Sequence, residues 1–301
     1  VVHELKVFKE TKVDNKLTHS HWLGVTQQQD ADDCIDILKK EKINWLVVDH
    51  YAIDEDWQYE LKPYCNKLMV IDDLADRKYQ CDILLDQTFG RQQEDYSAIT
   101  PEDCKLLLGS HYALLRPEFS KWRAYSLERR SKPEFKQLLI NMGGVDVDNV
   151  TEKILGELKI CNLPNDIKIT IVMGSSAPHL ESIKSKAITL PYKTEVKVDV
   201  DNMAEIMANS DIAIGAAGAT TWERCCLGLP TIQIVIAENQ NTIARSLAKK
   251  NAIKFLQDRK ELSSMISDVM GWMKGVSDIT RQISDGQGLM RVVSAMIGNK
   301  L

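Results

Sequence analysis

The chain has 301 residues, too many for one ordinary hydrophobic core and a natural length for two α/β domains. Hydrophobic residues make up 44% and charged residues 27%, with a formal net charge of −5, and this balance lacks the basic face of a chain built mainly for nucleic acid. The longest apolar runs are too short to cross a membrane, and the seven cysteines show no paired spacing, so the expectation is a soluble cytoplasmic protein with reduced thiols and no zinc.

In chain order, Val1-Val2-His3-Glu4-Leu5 has no initiating Met and reads as the interior of a βα unit, which predicts further residues upstream. Cys34, Ile35, Ile37 and Leu38 at near-helical spacing predict a helix over 30–42, and 56–64 reads as another. Short runs rich in Val, Ile and Leu predict strands at 45–48, 68–71, 83–85 and 106–108. Such alternation implies a parallel sheet covered by helices. The charged stretch 116–133, ending Ser131-Lys132-Pro133, reads as a linker and places a domain boundary after residue 130. A second series follows, with strands at 137–142, 168–173, 194–198, 212–214 and 231–236. Its helices fall at 149–158, 203–209, 221–227 and 242–251, and 288–297 closes the chain as an amphipathic helix. Residues 1–130 thus form an N-terminal Rossmann-like domain and 131–301 a C-terminal one. Two doubly wound α/β domains facing across a cleft suggest the GT-B architecture of nucleotide-sugar enzymes, with ligand outside the carboxyl ends of the strands.

Four turns at strand ends have residues suited to a ligand. In Ile214–Glu223 a small-residue turn leads into a helix, where backbone N–H groups attract phosphate. Thr220 or Thr221 is placed to cap that helix, and Glu223 to accept both hydroxyls of a ribose. A tight turn with a dipole-favouring Glu explains the same residues as well. Gly143-Gly144 permits close approach of a ligand, or is a plain βα turn. Ala237-Glu238-Asn239-Gln240 offers amide donors and acceptors suited to a sugar, or a helix cap. His50 and Tyr51 follow the strand 45–48, and Asp72-Asp73 follow 68–71, where hydrogen bonds to loop N–H groups are favoured over a cation. His19 and His21 lack further ligands and read as surface loop.

The segments DHYAID, VIDDLADR, CDILLDQTFGR, LLGSHYALLRPEF, MGGVDVDN, GSSAPH, NMAEIMANSDIAIGAAGATTWERCCLGLP and AENQ occur in this order. Together, over about residues 22–291, they resemble the UDP-sugar hydrolases of pseudaminic acid biosynthesis. The second domain also resembles the peptidoglycan N-acetylglucosaminyltransferases. The resemblance implies a GT-B fold, no metal or cofactor, and a monomer. It implies loss of UDP from UDP-2,4-diacetamido-2,4,6-trideoxy-β-L-altropyranose by water attack at the anomeric carbon, with inversion. Glu223 would hold the ribose, Gly218, Ala219 and Thr220 the diphosphate, and Met203 would lie by the uracil. Gly143 and Gly144 would line the cleft, with Tyr51 and Asn239 at the sugar. One departure stands out. The family's general base is a His in a GxGHxxR loop, and His3, His19 and His21 do not match it. The base is therefore unassigned, with His50 as the substitute at a suitable strand end. A positioned base contributes about 100- to 10,000-fold, so two alternatives stay open: a glycosyltransferase on the same UDP site, and a catalytically weak UDP-sugar-binding truncation.

Overall fold

Apolar runs bounded by turns bury both faces of a strand, and such strands pair in parallel beneath helices. In a computed structural model describing residues 17–238 and 240–298, they build two parallel sheets. By its contacts the chain divides into one unit that reaches to Tyr112 and resumes at Ser294, and a second, Ala113–Val293.

The first unit opens with a short 3-10 turn, Ser20–Trp22, and α1 (Gln27–Leu38), whose first turn is capped by Thr26 accepting from the Gln29 N–H. Then follow β1 (Ile43–Val48), α2 (Glu55–Leu61), β2 (Cys65–Ile71), β3 (Ile83–Asp86) and β4 (Lys105–Leu108). The strands lie in the order β1-β2-β3-β4, with Val48 opposite Val70 and Ile71 opposite Leu85. Leu68, Val70 and Leu84 pack with Ile35, Trp57 and Leu61 in one core. Among the described residues β1 is an edge strand, and its Val47 is 48% exposed.

The second unit runs α3 (Pro117–Arg129), β5 (Gln137–Asn141), α4 (Val150–Leu158), β6 (Lys168–Met173), α5 (Leu180–Ile188), β7 (Lys193–Val198) and α6 (Met203–Asn209). It continues with β8 (Ile212–Ala216), α7 (Thr220–Cys226), β9 (Thr231–Ile234), α8 (Gln240–Lys249) and β10 (Lys254–Phe255). The helices α9 (Leu262–Ser267), α10 (Val269–Thr280) and α11 (Gly288–Ile297) complete the described chain. The strand order is β10-β9-β8-β5-β6-β7. The chain winds outward from β5 to β7, then returns to the middle at β8 and winds the other way. This is the doubly wound order, and its reversal lies between β5 and β8, where Asn141 pairs with Gly215. Among the described residues no helix is long and apolar enough to cross a membrane.

The stretch read as a linker is instead α3, and the division of the chain precedes it rather than following residue 130. Several of its polar side chains, and Arg130 just after it, donate to main-chain carbonyls elsewhere in the second unit. Ser126 Oγ donates to the Leu227 carbonyl at 2.7 Å. The buried Arg130 guanidinium donates to the carbonyls of Met207, Ala208 and Ser210 at 3.0, 3.3 and 2.8 Å. Those carbonyls lie at and just past the C-terminal end of α6, where only that of Met207 also accepts from the Ser210 N–H, so a planar five-donor cation closes the helix.

Candidate functional site

Open parallel sheets leave a crevice where their winding reverses, so the turns after β5 and β8 border the natural ligand position of the second unit. After β5, Gly143 adopts φ +91, a left-handed conformation that favours glycine, and a Cβ on either Gly143 or Gly144 would meet nothing within 4 Å. The Gly144 carbonyl accepts from the Gly174 N–H at 2.9 Å, and a Cβ on Gly174 would lie 2.5 Å from that oxygen, so the two turns are held close. The N-terminus of α4 is already filled. Asp146 accepts from the N–H groups of Val150 and Thr151 at 2.8 and 2.9 Å. This turn therefore offers bare backbone to a ligand, not a vacant helix end.

After β8, the Ala217 N–H bonds the Ile234 carbonyl at 3.0 Å, while those of Gly218, Ala219 and Thr220 find no acceptor among the described residues. Thr220 and Thr221 do not cap α7, contrary to the expectation; the cap position is Ala219, without a side-chain bond. Their hydroxyls instead face the helix's own Arg224. Its Nη1 donates to Thr220 Oγ1 at 3.1 Å, and its Nη2 to Thr221 Oγ1 at 3.2 Å and to the Ala216 carbonyl at 2.6 Å. Gln233 Nε2 also donates to Thr221 Oγ1, at 3.0 Å. Gly215 makes room for this guanidinium, since a Cβ there would lie 2.5 Å from Arg224 Nη1. Burial lowers the Arg224 pKa to about 10.

Glu223 sits half-buried in the first turn of α7 with no hydrogen-bond partner among the described residues. Burial raises its pKa, against the opposing charges of Arg116 and Arg224. The start of α8 reaches the same turn. β9 ends at Ile234, two residues before the predicted limit; beyond it Gln240 Oε1 accepts from the Ile236 N–H at 3.1 Å, and Gln240 Nε2 lies 3.7 Å from the Cβ position of Gly218. Asn239 lies outside the described residues. Met203 opens α6 beyond the edge strand β7, with its side chain buried.

In the first unit, Tyr51 follows β1 and donates its hydroxyl to Asp73 Oδ1 at 2.6 Å. Burial raises the pKa of both groups. The rings of His19 and Trp22 stand 5.5 and 5.7 Å from that of Tyr51, and Trp22 is 55% exposed. Asp72 bonds the loop N–H groups of Leu74 and Ala75 at 3.0 and 2.8 Å, as its position at a strand end predicts. His50 Nδ1 accepts from the Ala52 N–H at 3.1 Å, so in the neutral ring the proton is on Nε2; burial lowers its pKa. Among the described residues no three His, Cys, Asp or Glu side chains gather to hold a metal ion.

Residues 138–274, and so the turns after β5 and β8, match the glycosyltransferase family 28 C-terminal domain. The chain is 30% identical over 219 residues to the UDP-2,4-diacetamido-2,4,6-trideoxy-beta-L-altropyranose hydrolase of Campylobacter jejuni, covering 72% of this chain and 76% of that one. The chain belongs to this hydrolase family. An uncharacterized protein of Methanocaldococcus jannaschii is 28% identical over 266 residues, 86% of this chain, and the chain spans 54% of its length. Among solved structures, MurG of Acinetobacter baumannii superposes with a TM-score of 0.67 at 14% identity, over 96% of this chain and 84% of that one. The UDP-GlcNAc 2-epimerase of Neisseria meningitidis bound to UDP-GlcNAc gives 0.63 at 13%, over 91% and 81%. The fold is α/β with parallel sheets, of the GT-B type.

Arg224 and Gln233 were not singled out as site residues from the sequence alone. Arg224 had one usable signal, its spacing of three and four residues from two threonines on one helix face.

Proposed function

We propose that this member of the hydrolase family removes UDP from UDP-2,4-diacetamido-2,4,6-trideoxy-β-L-altropyranose by inverting attack of water at the anomeric carbon, and that the second unit holds the UDP. The observation that carries the reading is Glu223. Among the described residues, this half-buried carboxylate has no partner and shares the start of α7 with three backbone N–H groups that find no acceptor, so the turn is left with hydrogen-bonding capacity for a ligand. A ribose diol supplies two donors in the bidentate arrangement a carboxylate accepts. The N–H groups of Gly218 and Ala219, with that of Thr220 and its hydroxyl, then face the diphosphate. They would stabilise the charge that develops on UDP as it leaves. Gly143 and Gly144 leave space for the ligand to approach the backbone, and Met203 is assigned to the uracil.

In this reading Tyr51 and Asn239 contact the sugar. Tyr51 already donates to Asp73, so its oxygen is left to accept from a sugar hydroxyl. His50 is not assigned as the base, because the nitrogen that would take the proton is held by the Ala52 N–H. The match to a glycosyltransferase domain favours a second reading, transfer of the sugar to an acceptor. Release of UDP from the purified protein without an acceptor separates the two. A full rate without acceptor supports hydrolysis, and a rate that appears only with acceptor supports transfer. Background release under both conditions would overturn both.

A further inference from the structure

We propose that Arg224 is the positioning cation of the diphosphate subsite: buried beneath the β8–α7 turn, it compensates phosphate charge and turns the Thr220 hydroxyl proton outward to a phosphate oxygen. This rests on the UDP reading above and goes beyond it by naming what selects the diphosphate.

Arg224 is only 2% exposed, and among the described residues no carboxylate lies within ion-pair distance of it. Its Nε has no partner among the described residues either. The buried Arg130 differs, because helix-end carbonyls surround it, the negative pole of α6. Arg224 has a single main-chain carbonyl and two hydroxyls, which offset little of a full positive charge. A buried cation without a counter-ion is costly, and an apolar side chain would fill the same volume. The sheet is nonetheless shaped for it. Gly215 at the end of β8 lacks the Cβ that would lie 2.5 Å from Nη1 and 3.0 Å from the Asn141 carbonyl. The guanidinium thus lies where β5 and β8 part, at the point of reversal of the sheet.

Its hydrogen bonding has a direction. A guanidinium has donors only, so Thr220 Oγ1 must accept from it. The hydroxyl keeps one proton, which has no acceptor among the described residues and is left to donate into the turn beside the free N–H groups of Gly218 and Ala219. A hydroxyl that accepts from a cation is a stronger donor. Donors backed by positive charge suit an oxyanion and reject a cation or another donor. Glu223 is the carboxylate that shares this helix turn, and burial already disfavours its ionised form.

The test is calorimetric titration of the whole protein with UDP and with uridine, which shares the base and ribose but has no phosphate. For Arg224→Met, UDP affinity should fall about 10- to 100-fold, the scale of a hydrogen bond to a charged group, with uridine affinity unchanged. Thr220→Val, at a half-exposed position that tolerates the change if Arg224→Met does not fold, should show the same selective loss of about 10-fold. A purely structural role moves both ligands together or neither, and either result overturns the proposal. A wild-type protein that binds uridine as tightly as UDP also overturns it while sparing the ribose assignment. Absence of binding of both ligands to the wild type sinks the UDP reading itself.

Discussion

Burial disfavours the ionised form of Glu223. Its folded pKa is raised, so the folded chain binds this proton more tightly than the unfolded chain. Between the unfolded and folded values stability therefore falls as pH rises, and at neutral pH the ionised group is a net cost. Glu223→Gln removes that cost. The unliganded variant should melt at a higher temperature than wild type at pH 7, while its UDP affinity drops by about 1.5–3 kcal/mol. An unchanged affinity in the folded variant would count against the ribose assignment. In the wild type, UDP affinity should weaken as pH falls through the raised value, because a protonated carboxyl accepts from one hydroxyl less well than the ionised form accepts from two. At Gly215, alanine pushes against Arg224 Nη1 and the Asn141 backbone. Gly215→Ala should lose about 1–3 kcal/mol in urea unfolding.

At the scale of elements, two helix ends are closed by side chains that a linear reading assigns elsewhere. Asp146 fills the first turn of α4, so Asp146→Ala should cost about 1–2 kcal/mol, read from the urea midpoint. Arg130 closes α6 from the end of α3. Arg130→Met removes a donor from three carbonyls, leaving that of Ala208 without one among the described residues, and should cost about 1–3 kcal/mol by the same measurement. The strands were legible because buried parallel strands are continuous apolar runs; β5, β6 and β8 begin where predicted. The helix α10 was not. Gly271 and Gly275 weaken its propensity, and only the burial of Trp272, Met273 and Val276 on one side reveals why it forms. α3 was hidden by its own charges, which composition reads as solvated and the structure uses as donors to main-chain carbonyls.

At the scale of the molecule, the second unit has both the domain match and the reversal of the sheet, and the first has Tyr51 with its Asp73 partner. If the second unit holds the nucleotide, UDP should slow hydrogen exchange at 141–146, 215–223 and 236–242 and leave the first unit's β2 and β3 unchanged. Protection confined to the first unit would overturn that placement. Saturation at about 100 times the dissociation constant should add about 2.7 kcal/mol to the stability of whatever unit binds.

The sequence by itself determined the α/β class, the parallel strands and the turns at their carboxyl ends, because apolar runs and small-residue breaks are local and read out within a few residues of where they act. It also determined the family, through motifs spread along nearly the whole chain. The strand order, and with it the point where the second sheet reverses, was decided only by tertiary structure, since β8 finds β5 across a sequence gap that no local pattern spans. The same holds for the buried cations. Whether Arg130 or Arg224 sits in water or inside depends on which carbonyls and hydroxyls come within hydrogen-bond reach, and for Arg130 those at 207–210 lie about eighty residues away.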